Sequence, residues 1–255
     1  PQNFLRVPRH AKAVEANFTL EKREKSTDKY SVVMIGDPQI KGVKVDSAAY
    51  KLRNVVYPDI VALKEKKAAE ESEFFAINLG DLVFNDMAKL YDYVDVISDS
   101  NIPMFHAIGN HDHDASRQDD AQATELYVQN VGPTDYSFNR GKVHFVVMDN
   151  IVCTRTNGKT WTYDAGFSKS QYNWLKADLD AVENKEDKML ILCCHIPFRG
   201  GAASDGASMN KDKYYAETLT LMREWNEAHI MIGHTHYPQN YRHLPYRTKN
   251  DIPVY

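Results

Sequence analysis

Five short patches of this sequence carry side chains that can bind metal ions. Their carboxylates, carboxamides and imidazoles are donors of intermediate hardness, which suit Mn, Fe or Zn better than an all-oxygen Ca or Mg site. The set is too large for one tetrahedral ion, so two ions that share a carboxylate are the simplest arrangement. Such a pair can hold the attacking and leaving oxygens of an in-line displacement. The patches are Gly36-Asp37-Pro38-Gln39, Gly80-Asp81, Gly109-Asn110-His111-Asp112, His195 and Gly233-His234-Thr235-His236.

The patches follow apolar runs that have the length of β-strands. Asp37, Asp81, Asn110, His195 and His234 each lie one or two residues past the end of a run. Near-continuous apolar runs indicate strands buried on both faces, and open α/β sheets bind ligands at the carboxyl ends of such strands. We therefore expect the patches to converge. The predicted strands are 31–35, 74–79, 104–108, 143–148, 189–194 and 229–232.

Helical spacing of apolar residues between these runs predicts an α/β protein. The first helix is expected to have Asp46 as its N-cap and to kink at Pro58. Ser168 and Gln171 form a capping box at the start of a later helix, and a further helix is expected within 211–226. A hairpin through Arg140-Gly141 predicts that part of the sheet system is antiparallel. The apolar stripes are Leu52, Val55, Val56, Ile60 and Leu63; Met87, Leu90, Tyr91, Val94 and Ile97; and Tyr172, Leu175, Leu179 and Val182.

The order of the five motifs resembles that of the calcineurin-like metallophosphoesterases, over roughly residues 30 to 240. The resemblance implies two mixed β-sheets packed as a sandwich and flanked by helices, a four-layer α/β/β/α fold. It also implies the roles of the site residues. Asp37, Gln39 and His236 would hold one metal, Asn110, His195 and His234 the other, and Asp81 would bridge both. His111 would contact the phosphoryl group and protonate the leaving oxygen.

The activity implied by the resemblance is hydrolysis of a phosphate mono- or diester. Two divalent ions, Mn, Fe or Zn, would hold a bridging hydroxide that attacks phosphorus, because metal coordination lowers the pKa of water to about 7. A nucleotide or sugar-nucleotide pyrophosphatase would use the same site. The alternative from another functional class is a protein of the same fold that holds little metal and acts as a binding or scaffolding module without catalysis.

Two motifs depart from the commonest pattern of the family. Gln39 stands where His is usual, and this Asp-Pro-Gln start resembles a bacterial branch of the family. Leu82 follows Asp81 in place of the continuation found in the protein phosphatase branch, which disfavours a protein phosphatase. The sequence shows no obvious acidic partner for His111, and Asp86 and Asp112 are the candidates.

Other polar residues are assigned smaller roles. Asn110, His111 and Arg199 are the predicted substrate contacts, since a guanidinium can pair with phosphate through two hydrogen bonds. His113 extends the Asn110 loop and is a further substrate candidate, although a structural role is favoured. His106, His144 and Asp149 are predicted to be structural. Core or rim positions are favoured over a substrate pocket for Tyr237, Tyr241 and His243.

The whole chain fits this interpretation. Its 255 residues suit one domain, and its net charge of −4 disfavours a nucleic-acid partner while leaving room for a small phosphorylated substrate. Three cysteines without regular spacing predict buried thiols and no disulfide framework. No apolar run approaches the roughly 20 residues of a membrane span.

The two ends of the chain differ from the middle. Residues 1–29 are rich in charge and are interpreted as a lead-in segment or the remnant of an upstream domain, with the catalytic domain at 30–255. The chain opens on Pro1 and stops on the strand-like 252–255, which predicts truncation at the C-terminus and additional flanking domains. From the resemblance, an exported bacterial location is the expectation.

Overall fold

The computed structural model describes residues 12–15, 17, 28–41, 47–70, 73–156, 160–198, 207–236, 246–247 and 252–255. Most of the predicted lead-in, together with Asp46, Arg199, Tyr237, Tyr241 and His243, lies outside these residues. Within the described ranges, no helix is both long enough and apolar enough to cross a membrane.

Eleven strands are formed by the described residues. They are β1 (Tyr30–Ile35), β2 (Glu73–Asn78), β3 (Met104–His106), β4 (Tyr136–Arg140), β5 (Val143–Val147), β6 (Ile151–Thr156), β7 (Thr160–Ala165), β8 (Met189–Cys193), β9 (Glu227–Met231), β10 (Tyr246–Arg247) and β11 (Pro253–Val254). All six predicted strands are confirmed, with ends that differ by at most two residues.

The strands form two sheets and a separate ribbon. The smaller sheet has the order β1-β2-β3, and its described strands are all parallel. The larger sheet has the order β10-β11-β9-β8-β5-β4, with parallel pairs at its centre and an antiparallel pair at each end. β6 and β7 form an antiparallel ribbon. The α/β fold is confirmed, with the mixed pairing confined to the larger sheet.

Seven α-helices lie between the strands of the described chain. They are α1 (Ala48–Lys51), α2 (Tyr57–Ala68), α3 (Lys89–Ser98), α4 (Asp120–Ala123), α5 (Glu125–Asn130), α6 (Lys169–Asp180) and α7 (Tyr215–Met222). A π-helical segment, Leu52–Val56, joins α1 to α2. The helix predicted within 211–226 is therefore shorter than expected and follows a 3₁₀ turn, Met209–Lys211.

Three apolar cores separate four layers. Phe75, Ile77, Phe145 and Val147 belong to the middle core, which lies between the two sheets. Its aromatic rings stack in series, with centroids 4.0 Å apart for Phe105 and Phe138 and 4.9 Å apart for Phe138 and Phe145. One outer core packs α1, α2, α3 and α5 against the smaller sheet, and the other packs α6 and α7 against the larger one. This is the predicted α/β/β/α arrangement.

The predicted capping box and hairpin are both confirmed. Ser168 Oγ accepts a hydrogen bond from Gln171 N, and the Gln171 side chain accepts one from Ser168 N in return. In the hairpin, Arg140 pairs with Val143 across a two-residue turn. Gly141 adopts a φ of 53° there, a left-handed value that such tight turns require.

The apolar stripe predicted for the first helix is partly wrong. Leu52 and Ile60 are buried, but Val55 is 54% exposed and Val56 and Leu63 also face solvent. The π-helical segment explains the shift, because its wider turns rotate the later residues away from a regular helical stripe. Pro58 contributes, since it has no backbone N–H to donate to the turn before it.

Two further details of the helices differ from expectation. Ser47, not Asp46, is the N-cap of α1, and its Oγ accepts a hydrogen bond from Tyr50 N at 3.2 Å. In α3, Tyr91 is 69% exposed while Tyr93 is fully buried. Tyr93 is buried because its hydroxyl accepts a hydrogen bond from Asn78 at the end of β2. A buried tyrosine usually needs such a polar partner.

Candidate metal centre

The seven predicted metal ligands lie together where the two sheets end side by side. The smaller sheet contributes the loops after β1, β2 and β3, and the larger sheet contributes those after β8 and β9. Asp37 and Gln39 follow β1, Asp81 follows β2, Asn110 follows β3, His195 follows β8, and His234 and His236 follow β9. The candidate centre therefore spans both sheets.

Five of these seven residues have a left-handed backbone. The φ angles are 52° at Asp37, 45° at Gln39, 56° at Asp81, 66° at His234 and 52° at His236. A non-glycine residue in this region costs of order 1–3 kcal/mol and persists only where the surrounding structure determines it. Hydrogen bonds supply that constraint here, from Gln39 N to Asp81 O at 2.8 Å and from His234 N to both Asp37 carboxylate oxygens at 3.0 Å.

Two glycines allow these loops to approach one another. Gly80 has a φ of 97°, which only glycine adopts readily. A Cβ on Gly109 would collide with the backbone nitrogen and carboxylate of Asp81. The glycines of the second and third motifs are therefore required by the packing of the loops that carry the ligands.

One group of donor atoms comes from Asp37, Asp81 and His236. Their potential ligand atoms all lie within 4.8 Å of one another. His236 Nε2 is 3.3 Å from Asp37 Oδ1 and 3.1 Å from Gln39 Nε2, while Gln39 Nε2 donates to Asp81 Oδ2 at 3.0 Å. His236 is largely exposed, so this group faces solvent.

A second group comes from Asp81, His195 and His234, which also lie within 4.8 Å of one another. His195 Nε2 is 3.2 Å from Asp81 Oδ1 and 3.1 Å from Asn110 Oδ1. His234 Nδ1 lies 3.0 Å from the same Asn110 oxygen. This group is more deeply buried than the first, since His195 is inaccessible to solvent.

Asp81 belongs to both groups, and its two oxygens face different ones. Oδ1 contacts His195, whereas Oδ2 contacts Gln39. His111 N donates to Oδ1 at 3.0 Å, which helps to hold the carboxylate in this orientation. A carboxylate placed in this way can serve two cations at once.

The protonation pattern of the site fits bound cations. His195 Nδ1 lies 2.8 Å from Leu79 O and donates its proton there. Nε2 faces the oxygens of Asp81 and Asn110, where it donates a second proton in the absence of a cation; a bound cation would take the place of that proton. Burial opposes a charged imidazole, but Asp81 and Asp37 raise the pKa of His195 to about 9. The same negative field would attract divalent cations.

The two carboxylates respond differently to their surroundings. Burial raises the pKa of Asp37, and the charge of Asp81 adds to this effect while His195 opposes it. Burial also opposes ionisation of Asp81, yet His195 and the His111 N–H hold its pKa well below the usual range. Asp81 is therefore the group that keeps its negative charge most firmly.

Comparison with known proteins identifies the family. The family model described as calcineurin-like phosphoesterase matches residues 30–238. The chain belongs to this family. Its members hydrolyse phosphoester bonds at a metal centre, so the chain is a hydrolase of that class. Among curated proteins, none matches this sequence.

Solved structures share the fold at low sequence identity. A dimetal phosphatase from Danio rerio superposes with a TM-score of 0.55 at 14% identity, over 89% of this chain and 87% of that one. A purple acid phosphatase from yellow lupin (Lupinus luteus) seeds gives a TM-score of 0.56 at 16% identity, over 82% of this chain and 38% of that one. At such identities the likeness shows the fold alone.

Gln39 occupies a position where the family resemblance leads one to expect a histidine. Its amide nitrogen, not its oxygen, faces Asp81 and His236. An amide donates to a carboxylate when no cation is present, and rotation of the amide by half a turn would present the oxygen as a ligand. Gln39 thus lies within the first group of donors.

His111 lies beside the candidate metal centre, and two of its side-chain neighbours, Asn85 and Phe84, lie outside the predicted ligand set. Its Nδ1 is 2.9 Å from Asn85 Oδ1, and its ring stacks on Phe84 with centroids 4.1 Å apart. Its Nε2 faces Asp81 Oδ2 at 3.9 Å. Burial lowers the pKa of His111, with Asp81 opposing that effect. The ring is therefore held between Phe84, Asn85 and the metal ligands.

The predicted acidic partners of His111 have other functions. Asp112 accepts hydrogen bonds from Val83 N and Gly109 N, both at 2.9 Å, and so holds the Asn110 loop in place. Asp86 accepts a hydrogen bond from Ala88 N in the turn before α3. Both candidates were wrong, because backbone donors in the loops take up their carboxylates.

The three other described histidines that were singled out in the sequence have neighbours outside the ligand set. His113 is fully buried, with Gly109 O and Asp149 as its partners, so it is not exposed to a substrate. His144 is buried between Asn139 and Asp178, as predicted for a structural residue. His106 packs edge-on against Tyr93.

Two neighbours of the site were missed in the sequence. Asn85 has a φ of 61°, and asparagine is among the residues that tolerate this conformation. Tyr163 on the β6–β7 ribbon approaches His234 edge-on, with ring centroids 6.3 Å apart. Neither belongs to a motif, and only the tertiary fold brings them to the centre.

Proposed function

We propose that this chain hydrolyses phosphate mono- or diesters with two divalent metal ions, Mn, Fe or Zn. The observation that carries the proposal is the position of Asp81, whose two oxygens face two different groups of donor atoms. Two ions that share one carboxylate suit in-line displacement at phosphorus.

The ligands divide between the two ions. Asp37, Gln39 and His236 would hold the first ion, and Asn110, His195 and His234 would hold the second, with Asp81 common to both. When bound, the ions supply a Lewis acid that polarises a phosphoryl oxygen and lowers the pKa of a coordinated water. Oxygen and nitrogen donors without sulfur favour metals of intermediate hardness.

The residues around the ions bind and orient the substrate. In its charged imidazolium form, His111 would transfer the proton of Nε2 to the leaving oxygen and keep the proton on Nδ1, since Nε2 faces the centre from the side of Asp81. Asn85 keeps the other ring nitrogen occupied and so orients that atom. Asn110, His111 and Arg199 remain the proposed substrate contacts.

Metal removal and one matched pair of variants test this function. Treatment with a chelator should abolish hydrolysis of phosphate esters, and Mn, Fe or Zn should restore it. Asp81→Asn removes one charge while retaining a residue that tolerates the left-handed backbone, and should reduce turnover below detection and lower metal content. Asp86→Asn alters an exposed carboxylate near the site and should retain activity and metal.

The outcomes also separate the alternatives. Full activity in Asp81→Asn would overturn the proposal. Failure of the wild-type chain to bind metal after supplementation would favour the non-catalytic alternative, which rests on the amide nitrogen that Gln39 presents to the site. A library of phosphate esters and nucleotide pyrophosphates, assayed with Mn, distinguishes an esterase from a pyrophosphatase.

A further inference from the structure

A third group of metal-binding side chains lies behind the Asn110 loop. His113, Asp120 and Cys153 place a nitrogen, a carboxylate oxygen and a sulfur within 4.8 Å of one another. They come from the end of the loop, from α4 and from β6, and none belongs to the centre described above. We call these three residues the rear cluster.

The tautomer of His113 leaves a nitrogen that needs a positive partner. Nδ1 lies 2.9 Å from Gly109 O and donates its proton to that carbonyl. Nε2 faces Asp149 Oδ2 at 3.3 Å. Burial opposes a charge on the ring, but Asp149 raises the pKa of His113, so a proton on Nε2 pairs with this carboxylate in the absence of a cation. Either a second proton or a metal ion must lie on this side of the ring.

The surroundings of the rear cluster have an excess of acidic groups. Asp120, Asp135 and Asp149 lie in or beside it, and in the described part of the chain His113 is the only basic side chain that pairs with any of them. Burial raises the pKa of Asp120, and burial together with Asp149 raises that of Asp135 to about 6. A divalent cation would offset this buried negative charge.

Cys153 adds the ligand that selects the metal. Its side chain is buried and forms no disulfide with another described cysteine. Burial raises the pKa of the thiol, with Asp120 and Asp149 adding to the shift, so the thiol stays protonated unless a cation displaces the proton. Asp120 is partly exposed and gives an ion a route of entry.

We propose that His113, Asp120 and Cys153 bind a third divalent cation of the zinc class. Zinc accepts mixed sulfur, nitrogen and carboxylate ligands at about 2.0–2.3 Å, and the three donor atoms lie within 4.8 Å of one another, close enough to converge on one ion. Asp149 Oδ2, 3.3 Å from His113 Nε2, is an additional oxygen donor beside the cluster. The ion would join the Asn110 loop to α4 and β6, and would support the loop that carries Asn110 and His111.

Cobalt binding to the chelator-treated chain tests the proposal. Co²⁺ replaces zinc in such sites, and its bond to a thiolate gives a strong near-ultraviolet charge-transfer band. The wild-type chain should bind three equivalents and show this band, whereas Cys153→Ser should bind two and lack it. Cys193→Ser changes a buried thiol between the sheets and should retain both the band and the third equivalent.

Two further variants keep the outcome independent of folding and of the proposed function. Asp81→Asn should lose cobalt from the centre but retain the thiolate band. Asp120→Asn should retain the fold, checked by circular dichroism, and weaken the band at least about tenfold at limiting cobalt. A wild-type chain without the band would overturn the proposal. Persistence of the band in Cys153→Ser would overturn it as well.

Discussion

Asn85 is the residue that best shows how single side chains support the proposed reaction. Its Oδ1 fixes one nitrogen of His111, and the contact is worth about 0.5–1.5 kcal/mol, the usual net value of a hydrogen bond. We expect Asn85→Gly, which tolerates the left-handed backbone, to lower kcat roughly tenfold, the change that about 1.4 kcal/mol produces. Steady-state kinetics with a poor leaving group should show the largest effect.

The control for this prediction is another left-handed asparagine. Asn101 has a φ of 48° and lies in the turn before β3, so Asn101→Gly repeats the backbone change away from His111. It should leave kcat unchanged. Asn85→Asp retains an acceptor for His111 and should restore most of the rate. Equal losses of kcat in both glycine variants would show that the contact has no role in the reaction.

At the level of elements, a partly buried contact joins α6 to the larger sheet. His144 on β5 and Ser137 on β4 both hydrogen-bond to Asp178 of α6, at 2.9 and 2.6 Å. Burial opposes ionisation of Asp178, but these two hydrogen bonds hold its pKa below the usual value. A carboxylate with a lowered folded pKa stabilises the fold above its unfolded pKa of about 3.9 and loses that effect as the pH falls through the folded value.

The expected result is a weaker loss of stability in acid for Asp178→Asn. Urea unfolding between about pH 6 and pH 2 should show that the wild-type free energy of unfolding falls more steeply below about pH 4 than that of the variant. Ser137→Ala removes one of the two hydrogen bonds and should lie between them. Parallel curves for wild type and Asp178→Asn would contradict the assignment.

The elements that could be predicted are those decided by local pattern. The strands are continuous apolar runs, and the donors that follow them appear in a recognisable order, so the strands and the convergence of seven residues were accessible from sequence. The four layers were expected from the family resemblance alone. The buried face of the first helix could not be predicted from sequence, because the π-helical segment before Pro58 moves Val55 and Val56 to the surface. Tyr93 and Asn85 escaped prediction because their partners, Asn78 and His111, are distant in sequence.

For the whole molecule, the core between the sheets determines how the ligands align. Phe145 is fully buried there and stacks on Phe138, and truncation of such a side chain costs about 3–5 kcal/mol. We expect Phe145→Ala to lower the free energy of unfolding by that amount in urea. Metal affinity should fall as well, because each group of donors takes residues from both sheets.

Tyr91→Ala is the matched control, since Tyr91 is an exposed aromatic residue of α3. A surface substitution of this kind changes stability by about 0.5 kcal/mol or less. It should leave metal affinity as in the wild type. If Phe145→Ala lost stability but bound metal normally, the alignment of the ligands would not depend on the packing between the sheets.

At five positions, stability and function favour different residues. These positions have a left-handed backbone and are Asp37, Gln39, Asp81, His234 and His236. Glycine would relax each of them, yet glycine has no donor atom to offer. Selection for stability of the fold alone would therefore replace the residues that the proposed chemistry needs. The packing and hydrogen bonds of the rest of the molecule must therefore offset the free-energy cost of a left-handed backbone at these five residues.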